Sequence, residues 1–324
     1  MTCREQAYAI LRSVNQAILG KEAFTAKIMA AFLAEGHVLL EDVPGVGKTT
    51  LAVAFSRALG FSWKRVQFTP DVTPSDLTGF SIYQKEQNTF TYQPGAVFCN
   101  LLLADELNRT SPKTQSALLE VMEEGQTTVD GVTRPLPRPF LVIATQNPFG
   151  AAGTQPLPTA QADRFSLSLS MGYPAFEDEV RLAHEAEKGR RRDQTEPISD
   201  CESFSRMCRE ASGVYIHDSL CRYIVSLVDA TRNQELFELG ASPRSTLSLV
   251  KLSKTLAWLQ GENYVTPSQI KELFPDVVKH RVVISHKARR QGISRDALLE
   301  DILRKTAVPL DSLKGPVNHL KHLF

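Results

Sequence analysis

The stretch Glu41-Asp42-Val43-Pro44-Gly45-Val46-Gly47-Lys48-Thr49 decides the fold. The apolar run Val38-Leu39-Leu40 leads in and suits a buried strand, while Thr50-Leu51-Ala52-Val53-Ala54-Phe55 leads out with helical character. Glycines between a strand and a helix let backbone N–H groups curl around phosphate oxygens, where the helix dipole already favours negative charge. On that reading Pro44, Gly45, Val46, Gly47, Lys48, Thr49 and Thr50 form the cradle. Lys48 would reach the β- and γ-phosphates of a triphosphate, and the Thr49 hydroxyl would ligate Mg²⁺. One position departs from the usual G-x-x-x-x-G-K-[ST] spacing: Asp42 stands where the first glycine is expected. A carboxylate facing a triphosphate is repelled by it, so Asp42 has to sit at the outer edge of the loop, facing away.

On either side of this loop, strand and helix signals alternate. Tyr8 to Leu33 has helical spacing with a break at Gly20-Lys21, Thr49–Ala58 reads as a helix and Trp63–Phe68 as a strand. Val97–Ala104 is a continuous apolar run, Pro112–Glu124 is an amphipathic helix and Phe140–Ala144 is another apolar strand. This alternation predicts a parallel sheet with helices on both faces. Two hairpins interrupt it. One pairs Gly79–Tyr83 with Thr89–Tyr92, and the other turns on Asp130-Gly131 between Thr127–Val129 and Val132-Thr133. After Pro174 the pattern becomes helical: Ala175–Glu187, Cys201–Ala211, Ser219–Ala230, Pro243–Leu259 and Pro267–Val278. Polar Lys188–Pro197, with Arg190, Arg191 and Arg192, reads as a solvated linker. The expected division is an α/β nucleotide-binding core over 1–173, with inserts near 79–92 and 126–138. A linker and first lid segment over 174–199 and an all-helical lid over 200–324 complete it.

A length of 324 residues fits about two domains, and 42% hydrophobic with 23% charged residues is ordinary for a globular protein. A formal net charge of +1 sets up no global field toward nucleic acid or an anionic membrane. The five cysteines are odd in number and contain no C-x-x-C, which points away from a disulfide frame or zinc site and toward a reducing cytoplasm. No apolar run approaches the roughly 20 residues that span a bilayer.

Chemistry-bearing residues fall at predicted strand tips. Leu101-Leu102-Leu103-Ala104 ends in Asp105-Glu106, where an open α/β sheet binds its ligand. Asp105 suits a metal ion held through its water shell, and Glu106 suits polarisation of an attacking water. The strand Phe140–Ala144 runs into Thr145-Gln146-Asn147-Pro148, so Asn147 either positions water or caps the turn. Arg164, in Gln161-Ala162-Asp163-Arg164-Phe165 after the loop Gly153 to Thr159, is either a local salt bridge or an arginine finger reaching a neighbouring subunit. Ser242-Pro243-Arg244 looks like a helix start, where an arginine opposes the macrodipole and needs an external anion. A γ-phosphate or a plain carboxylate would serve.

Loop, Asp-Glu strand, strand-tip Asn, Asp-Arg-Phe and Ser-Pro-Arg in this order resemble the AAA+ ATPases, and more closely the MoxR group. The matching phrases are Gly36-His37-Val38-Leu39-Leu40-Glu41-Asp42-Val43-Pro44-Gly45, Gln67-Phe68-Thr69-Pro70-Asp71, Pro94-Gly95 and Ala104-Asp105-Glu106-Leu107-Asn108-Arg109. They continue through Pro112 to Glu120, Ala144 to Pro148, Gly240 to Arg244 and His280-Arg281, so nearly the whole chain is covered. Asp42 is itself usual in this group, and Leu107 stands where Ile is commoner. The resemblance implies an α/β AAA+ core followed by a helical lid, with Lys48 and Thr49 as Walker A and Asp105 and Glu106 as Walker B. It further implies Asn147 as sensor 1, Arg164 as arginine finger and Arg244 as sensor 2, with Ile18, Leu19 and Gly20 wrapping the adenine. The hairpins correspond to a helix-2 insert and a pre-sensor-1 hairpin. Asn108 and Arg109 receive no role.

Such proteins are ring-forming, usually hexameric, Mg²⁺-dependent ATPases that remodel or mature protein complexes, commonly with a von Willebrand factor A domain partner. No D-x-S-x-S motif occurs in this chain, so that partner would be a separate protein. Alternatives are a DNA-acting motor, a magnesium-chelatase-like metal-insertion ATPase and a non-hydrolysing nucleotide switch. Against the first, the hairpin near Phe80–Tyr92 carries only Lys85 as a basic residue, making nucleic acid a poor partner.

Overall fold

A computed structural model describes residues 1–43, 45–147, 157–187 and 197–309. Pro44, most of the expected linker Lys188–Pro197 with its three arginines, and most of the Gly153 to Thr159 loop lie outside the described residues. The chain opens with helices α1 (Cys3–Ala17) and α2 (Glu22–Leu33), then β1 (Val38–Glu41), α3 (Lys48–Leu59), β2 (Trp63–Gln67) and α4 (Pro74–Thr78). The hairpin β3 (Phe80–Gln84) and β4 (Thr89–Gln93) follows, then β5 (Leu101–Asp105), a single 3-10 turn (Leu107–Arg109) and α5 (Pro112–Glu124). A second hairpin, β6 (Gln126–Val129) and β7 (Val132–Pro135), leads to β8 (Leu141–Gln146), α6 (Thr159–Ala162), β9 (Leu167–Leu169) and α7 (Phe176–Glu187). Beyond residue 200 come α8 (Cys201–Ser212), α9 (Asp218–Arg232), β10 (Phe237–Leu239), α10 (Pro243–Leu259), α11 (Pro267–Val278), β11 (Val283–Ile284), α12 (His286–Arg290) and α13 (Arg295–Lys305).

Five strands form one sheet in the order β2-β5-β8-β1-β9, with all four pairings parallel. Every strand therefore ends at the same edge, and every connection returns across a face. Alternate residues serve opposite faces, as the pleat requires. Val38, Leu40, Leu101, Leu103, Leu141 and Ile143 join one apolar cluster with α1, α2 and α3. Leu39, Leu102, Ala104, Val142 and Ala144 join the other with Leu118, Leu119 and Met122 of α5. Both faces are covered, so β5 is buried along its whole length, as its unbroken apolar sequence requires.

Local chemistry sets the boundaries. Thr2 and Glu5 form a reciprocal capping box at the start of α1. Ser111 caps α5, where Pro112 supplies a preset φ at the first helical position. The β6–β7 turn places Asp130 and Gly131 at positive φ, as a type I′ turn demands.

Three expectations need adjustment. The apolar run from Val97 is not all strand: the ladder begins at Leu101, because the amides of both Asn100 and Leu101 donate to Ser62 O and hold the entry in a turn. Leu167–Leu169, too short to show a period, is the fifth strand and pairs with β1. The helical lid carries one two-stranded ribbon, β10 with β11. Nor does the apolar core stop at residue 200. The first cluster continues through Phe204, Leu227, Leu249, Leu252 and Phe274. Phe204 meets Phe61 edge-on at 5.1 Å, and the Thr255 hydroxyl donates to Ala30 O at 2.8 Å. Among the described residues no helix is long and apolar enough to cross a membrane.

Candidate active site

Because the sheet is parallel, the loops after β1, β2, β5, β8 and β9 converge on one edge. After β1 the chain turns through Gly45 and Gly47, at φ 88° and 101°, and enters α3 at Lys48. A Cβ built on either glycine would meet nothing within 4 Å. It is therefore backbone conformation, together with open space for an anion, that calls for glycine here. That open cradle at a helix N-terminus fits a phosphate. Lys48 Nζ donates to the carbonyls of Asp42 and Val43 at 3.2 and 3.4 Å, so it lies folded over the loop it serves.

Asp42 does face away. It is buried, and its carboxylate accepts from the Ser170 hydroxyl at 2.7 Å and from the amides of Met171 and Gly172 at 2.7 and 3.0 Å. The residue that broke the loop pattern thus ties the phosphate loop to the turn after β9. Glu41 supports the same edge, accepting from Gln146 of β8 and, at 2.9 Å, from the Ser168 hydroxyl of β9.

A cavity of about 430 Å³ adjoins the loop, lined by Ile18, Leu19, Gly45, Val46, Gly47 and Thr50 from one side. Met171, Gly172, Tyr173, Glu179 and Leu182 line it from the other. Of the three residues expected around the adenine, Ile18 and Leu19 line this cavity. Gly20 does not; it is pressed against Asp178, whose Oδ2 would lie 1.9 Å from a Cβ there. The contribution of 171–174 and α7 was not legible, because nothing in those residues carries phosphate chemistry.

The acids at the tip of β5 are held in a network. Thr145 of β8 donates its hydroxyl to Asp105 Oδ1 at 2.7 Å and accepts from the Glu106 amide at 2.8 Å. Glu106 sits at φ 56°, in the left-handed region that a side chain rarely occupies. On the other side, Arg65 of β2 pairs with Asp105 Oδ2 at 2.7 Å. Gln67 Nε2 donates to Glu106 Oε2 at 2.9 Å, and Arg109 Nη1 reaches the same oxygen at 2.7 Å. Arg109 thus neutralises Glu106, and Asn108 Nδ2 reaches Asn147 O at 3.4 Å. Arg65 and Gln67 were missed because an edge strand with exposed polar residues looks like solvated surface. Among the described residues no three His, Cys, Asp or Glu side chains gather to hold a metal ion, so an ion at Thr49 and Asp105 would take its remaining ligands from phosphate and water, as Mg²⁺ commonly does.

The two remaining arginines stand elsewhere. Arg164 and Arg244 line a second cavity, of about 200 Å³, with His37, Glu123, Asp163, Ser166 and Arg281. His37 immediately precedes β1 and Ser166 immediately precedes β9, so this cavity is at the opposite edge of the sheet from the phosphate loop. The four residues of β1 alone separate the edges by roughly 13 Å. Here Arg164 Nη1 lies 3.1 Å from Glu123 Oε2, and Arg244 Nη2 lies 2.5 Å from Glu123 Oε1. Arg164 also donates to Leu119 O at 2.9 Å, in the second half of α5. Of the two anions that could justify Arg244, this chain supplies the carboxylate. As a nucleotide-facing lid arginine, Arg244 does not meet its own phosphate loop; the lid packs beside α2 and carries it to the far edge. Arg164 does not pair with Asp163, which is engaged by Arg281 at 3.2 Å.

The profile of the ATPase family associated with various cellular activities matches residues 37–167, and that of the AAA lid domain matches 229–302. Chaperone MoxR1 of Mycobacterium tuberculosis is 38% identical over 305 residues, covering 91% of this chain and 80% of that protein. The chain belongs to the MoxR family of AAA+ ATPases. It is also similar to the uncharacterized YeaC of Bacillus subtilis, at 46% identity over 92% of this chain and 93% of that one. A solved structure from Cytophaga hutchinsonii, provisionally named an ATPase, superposes with a TM-score of 0.88 at 35% identity, covering 95% of this chain and 96% of that one. The parallel core and helical lid are thus those of a MoxR-type AAA+ protein.

Proposed function

We propose that this protein is a Mg²⁺-dependent ATP hydrolase that assembles into a homo-oligomeric, hexameric ring. In that ring it remodels or matures a bound protein in a chaperone-like manner, together with a separate von Willebrand factor A domain protein. In this reading residues 1–173 and 200–324 act as core and lid. The amides of the Gly45–Lys48 loop and the Lys48 ammonium bind the phosphates, and Ile18 and Leu19 hold the base. A divalent ion held by Thr49 and Asp105 would neutralise charge on the phosphates. Glu106, freed from Gln67 and Arg109, accepts a proton from the attacking water, which Asn147 at the adjacent strand tip orients.

The observation that carries this reading is the placement of Arg164 and Arg244. They share one carboxylate on a partly exposed surface, at the edge their own phosphate loop does not reach. Two guanidinium groups against one carboxylate leave a positive excess that calls for a second anion. A neighbouring protomer's nucleotide supplies it, so both arginines act in trans. The protein-directed part of the reading is supported by the name of the mycobacterial relative and by the β3–β4 hairpin. That hairpin exposes Phe80, Ile82, Tyr83 and Phe90, the last at 74%, an apolar surface suited to a polypeptide.

The test is subunit mixing. Arg164→Ala should hydrolyse ATP at least about 10³-fold more slowly than wild type, because a finger typically contributes about 10³–10⁵ in rate. Glu106→Gln should be about 10²–10⁴-fold slower, the usual contribution of a general base. Mixed, they should recover activity, since an intact Walker site then meets an intact finger. No recovery at any ratio would refute the trans assignment.

A further inference from the structure

The turn that carries Arg164 belongs to the core, where Arg164 donates to Leu119 O and the Ser166 amide to His37 O, and it is bonded to the lid as well. Arg281, in the turn after α11, is only 2% exposed. Its Nη2 donates to Phe165 O at 2.7 Å and to Asp163 O at 3.3 Å, the two carbonyls flanking Arg164. Its Nε lies 3.2 Å from Asp163 Oδ1. His280, also buried, donates from Nε2 to Phe165 O at 2.9 Å. From a third direction, the Ser242 hydroxyl lies 2.8 and 2.9 Å from the two oxygens of Asp163. Ser242 occupies the N-cap position of α10 but makes no side-chain cap; its hydroxyl faces the core turn instead. Two residues further along, α10 bears Arg244.

We propose that Arg281, His280 and Ser242 are positioning residues that clamp the Arg164 turn of the core to the lid, so that the spacing of Arg164 and Arg244 is held fixed. The inference rests on the reading of Arg164 as a trans-acting finger and adds what holds it. An arginine buried this deeply is costly unless its partners are fixed. Here those partners are the backbone carbonyls on both sides of Arg164, the Asp163 carboxylate and the Ser248 hydroxyl of α10, so Arg281 ties the Arg164 backbone to the lid. Burial also lowers the Arg281 pKa to about 10 and depresses that of His280 well below its usual value, the neighbouring Arg281 charge adding to the effect. His280 is therefore a neutral donor to Phe165 O. The buried ion pair of this joint is Arg281–Asp163, beside Arg244. Lid rotation against the turn would have to break a buried ion pair and several hydrogen bonds together.

The experiment uses the full chain with Arg281→Ala, Arg281→Lys and Ser242→Ala. It measures kcat, KM and the Kd of a fluorescent ATP analogue, with hydrogen exchange of the 160–166 amides. Misplacing a catalytic group by about 1 Å can cost up to about 10²-fold, so kcat should fall about tenfold or more in Arg281→Ala and about threefold in Ser242→Ala. Kd should stay within about twofold, because the chain's own phosphate loop is at the other edge. Both variants should regain activity when mixed with Glu106→Gln and none when mixed with Arg164→Ala, a grouping that a merely structural lesion would not produce. Exchange should quicken in 160–166 and not in the first turn of α3, with Arg281→Lys intermediate. Should Arg281→Ala not fold, Ser242→Ala carries the same test, since no helix cap is lost. Wild-type kcat and wild-type exchange in Ser242→Ala and Arg281→Lys would overturn the proposal. Full activity in Arg164→Ala itself would instead remove the finger reading, while quickened exchange in 160–166 would still establish the anchoring.

Discussion

The two edges of the sheet manage charge in opposite ways. At the carboxyl edge, the ionic partners of Asp105 and Glu106 are surface arginines: the Arg65 and Arg109 side chains are 44% and 42% exposed. At the amino edge, Arg164 and Arg244 form partly exposed pairs with Glu123 as well, but Arg281 behind them is 2% exposed, held by the Phe165 and Asp163 carbonyls, the Asp163 carboxylate and the Ser248 hydroxyl. Exposed ion pairs contribute little and exchange readily, whereas a buried one is strongly destabilising to break. The carboxyl edge is thus built to give up its partners when a ligand arrives, and the buried Arg281 joint of the amino edge to keep them. Each prediction below breaks one edge and asks whether the other notices.

The largest effect belongs to Lys48→Ala. Charge-assisted hydrogen bonds contribute about 1.5–3 kcal/mol each, so losing the ammonium should weaken ATP-analogue binding about 100-fold or more. Fluorescence titration measures the loss, and thermal stability should barely change because Lys48 bonds only to its own loop carbonyls. A large drop in Tm would mean that the empty loop needs the lysine as a strut.

His37 gives the next effect, from the opposite edge. Its Nε2 donates to Met122 O and its Nδ1 accepts from the Val142 amide, both at 3.1 Å, which requires the neutral ring. Burial pushes its pKa from 6.5 down to about 4. The resulting stabilisation is fully present above pH 6.5 and is lost as pH falls through 4, roughly 3 kcal/mol in all. Urea unfolding at a series of pH values should show that acid limb. His37→Gln, which can keep a donor and an acceptor, should flatten it by the His37 share while the similarly depressed His280 retains its own. An unchanged limb in that variant would place the titration elsewhere.

What the sequence revealed follows the same division. Phosphate chemistry needs glycines, a lysine and acids at strand tips, so Gly45, Gly47, Lys48, Asp105, Glu106 and Asn147 could all be found from local pattern. The parallel core was legible because β1, β5 and β8 are apolar on both faces. The strand β9 was not, since three residues carry no period. The amino edge was hidden for a different reason: Glu123, Asp163, Arg244 and Arg281 are brought together from α5, the turn after α6, α10 and the end of α11. No spacing along the chain encodes that meeting. Arg164 and Arg244 were singled out one at a time, and only the fold shows that they share a carboxylate.

Asp42→Asn should have a smaller effect than acid on His37. The carboxylate accepts from two amides and a hydroxyl, and an asparagine NH₂ would face a donor with a donor. Leaving that amide unsatisfied costs about 1–3 kcal/mol, read as a fall in unfolding free energy. The turn at Met171 and Gly172 also walls the nucleotide cavity, so affinity should drop several-fold alongside. Loss of stability without loss of affinity would separate the turn from the cavity.

The smallest effect is expected from Arg65→Ala, and it tests the exchangeable character of the carboxyl edge most directly. Arg65 Nη2 sits 2.7 Å from Asp105 Oδ2, the oxygen that Thr145 does not occupy. A cation bound by Asp105 must compete with this guanidinium or keep a water between. The pair is partly exposed, so its loss should change divalent-ion affinity by no more than about 1 kcal/mol, a factor of about two to five. The direction matters more than the size: Mn²⁺ titrated in the presence of ADP should bind more tightly to Arg65→Ala, because Asp105 is freed. Arg65→Lys should remain close to wild type. Weaker Mn²⁺ binding in the alanine variant would mean that Arg65 orients Asp105 for the metal rather than standing in its place, and the edge taken here as yielding would then be as preorganised as the one opposite.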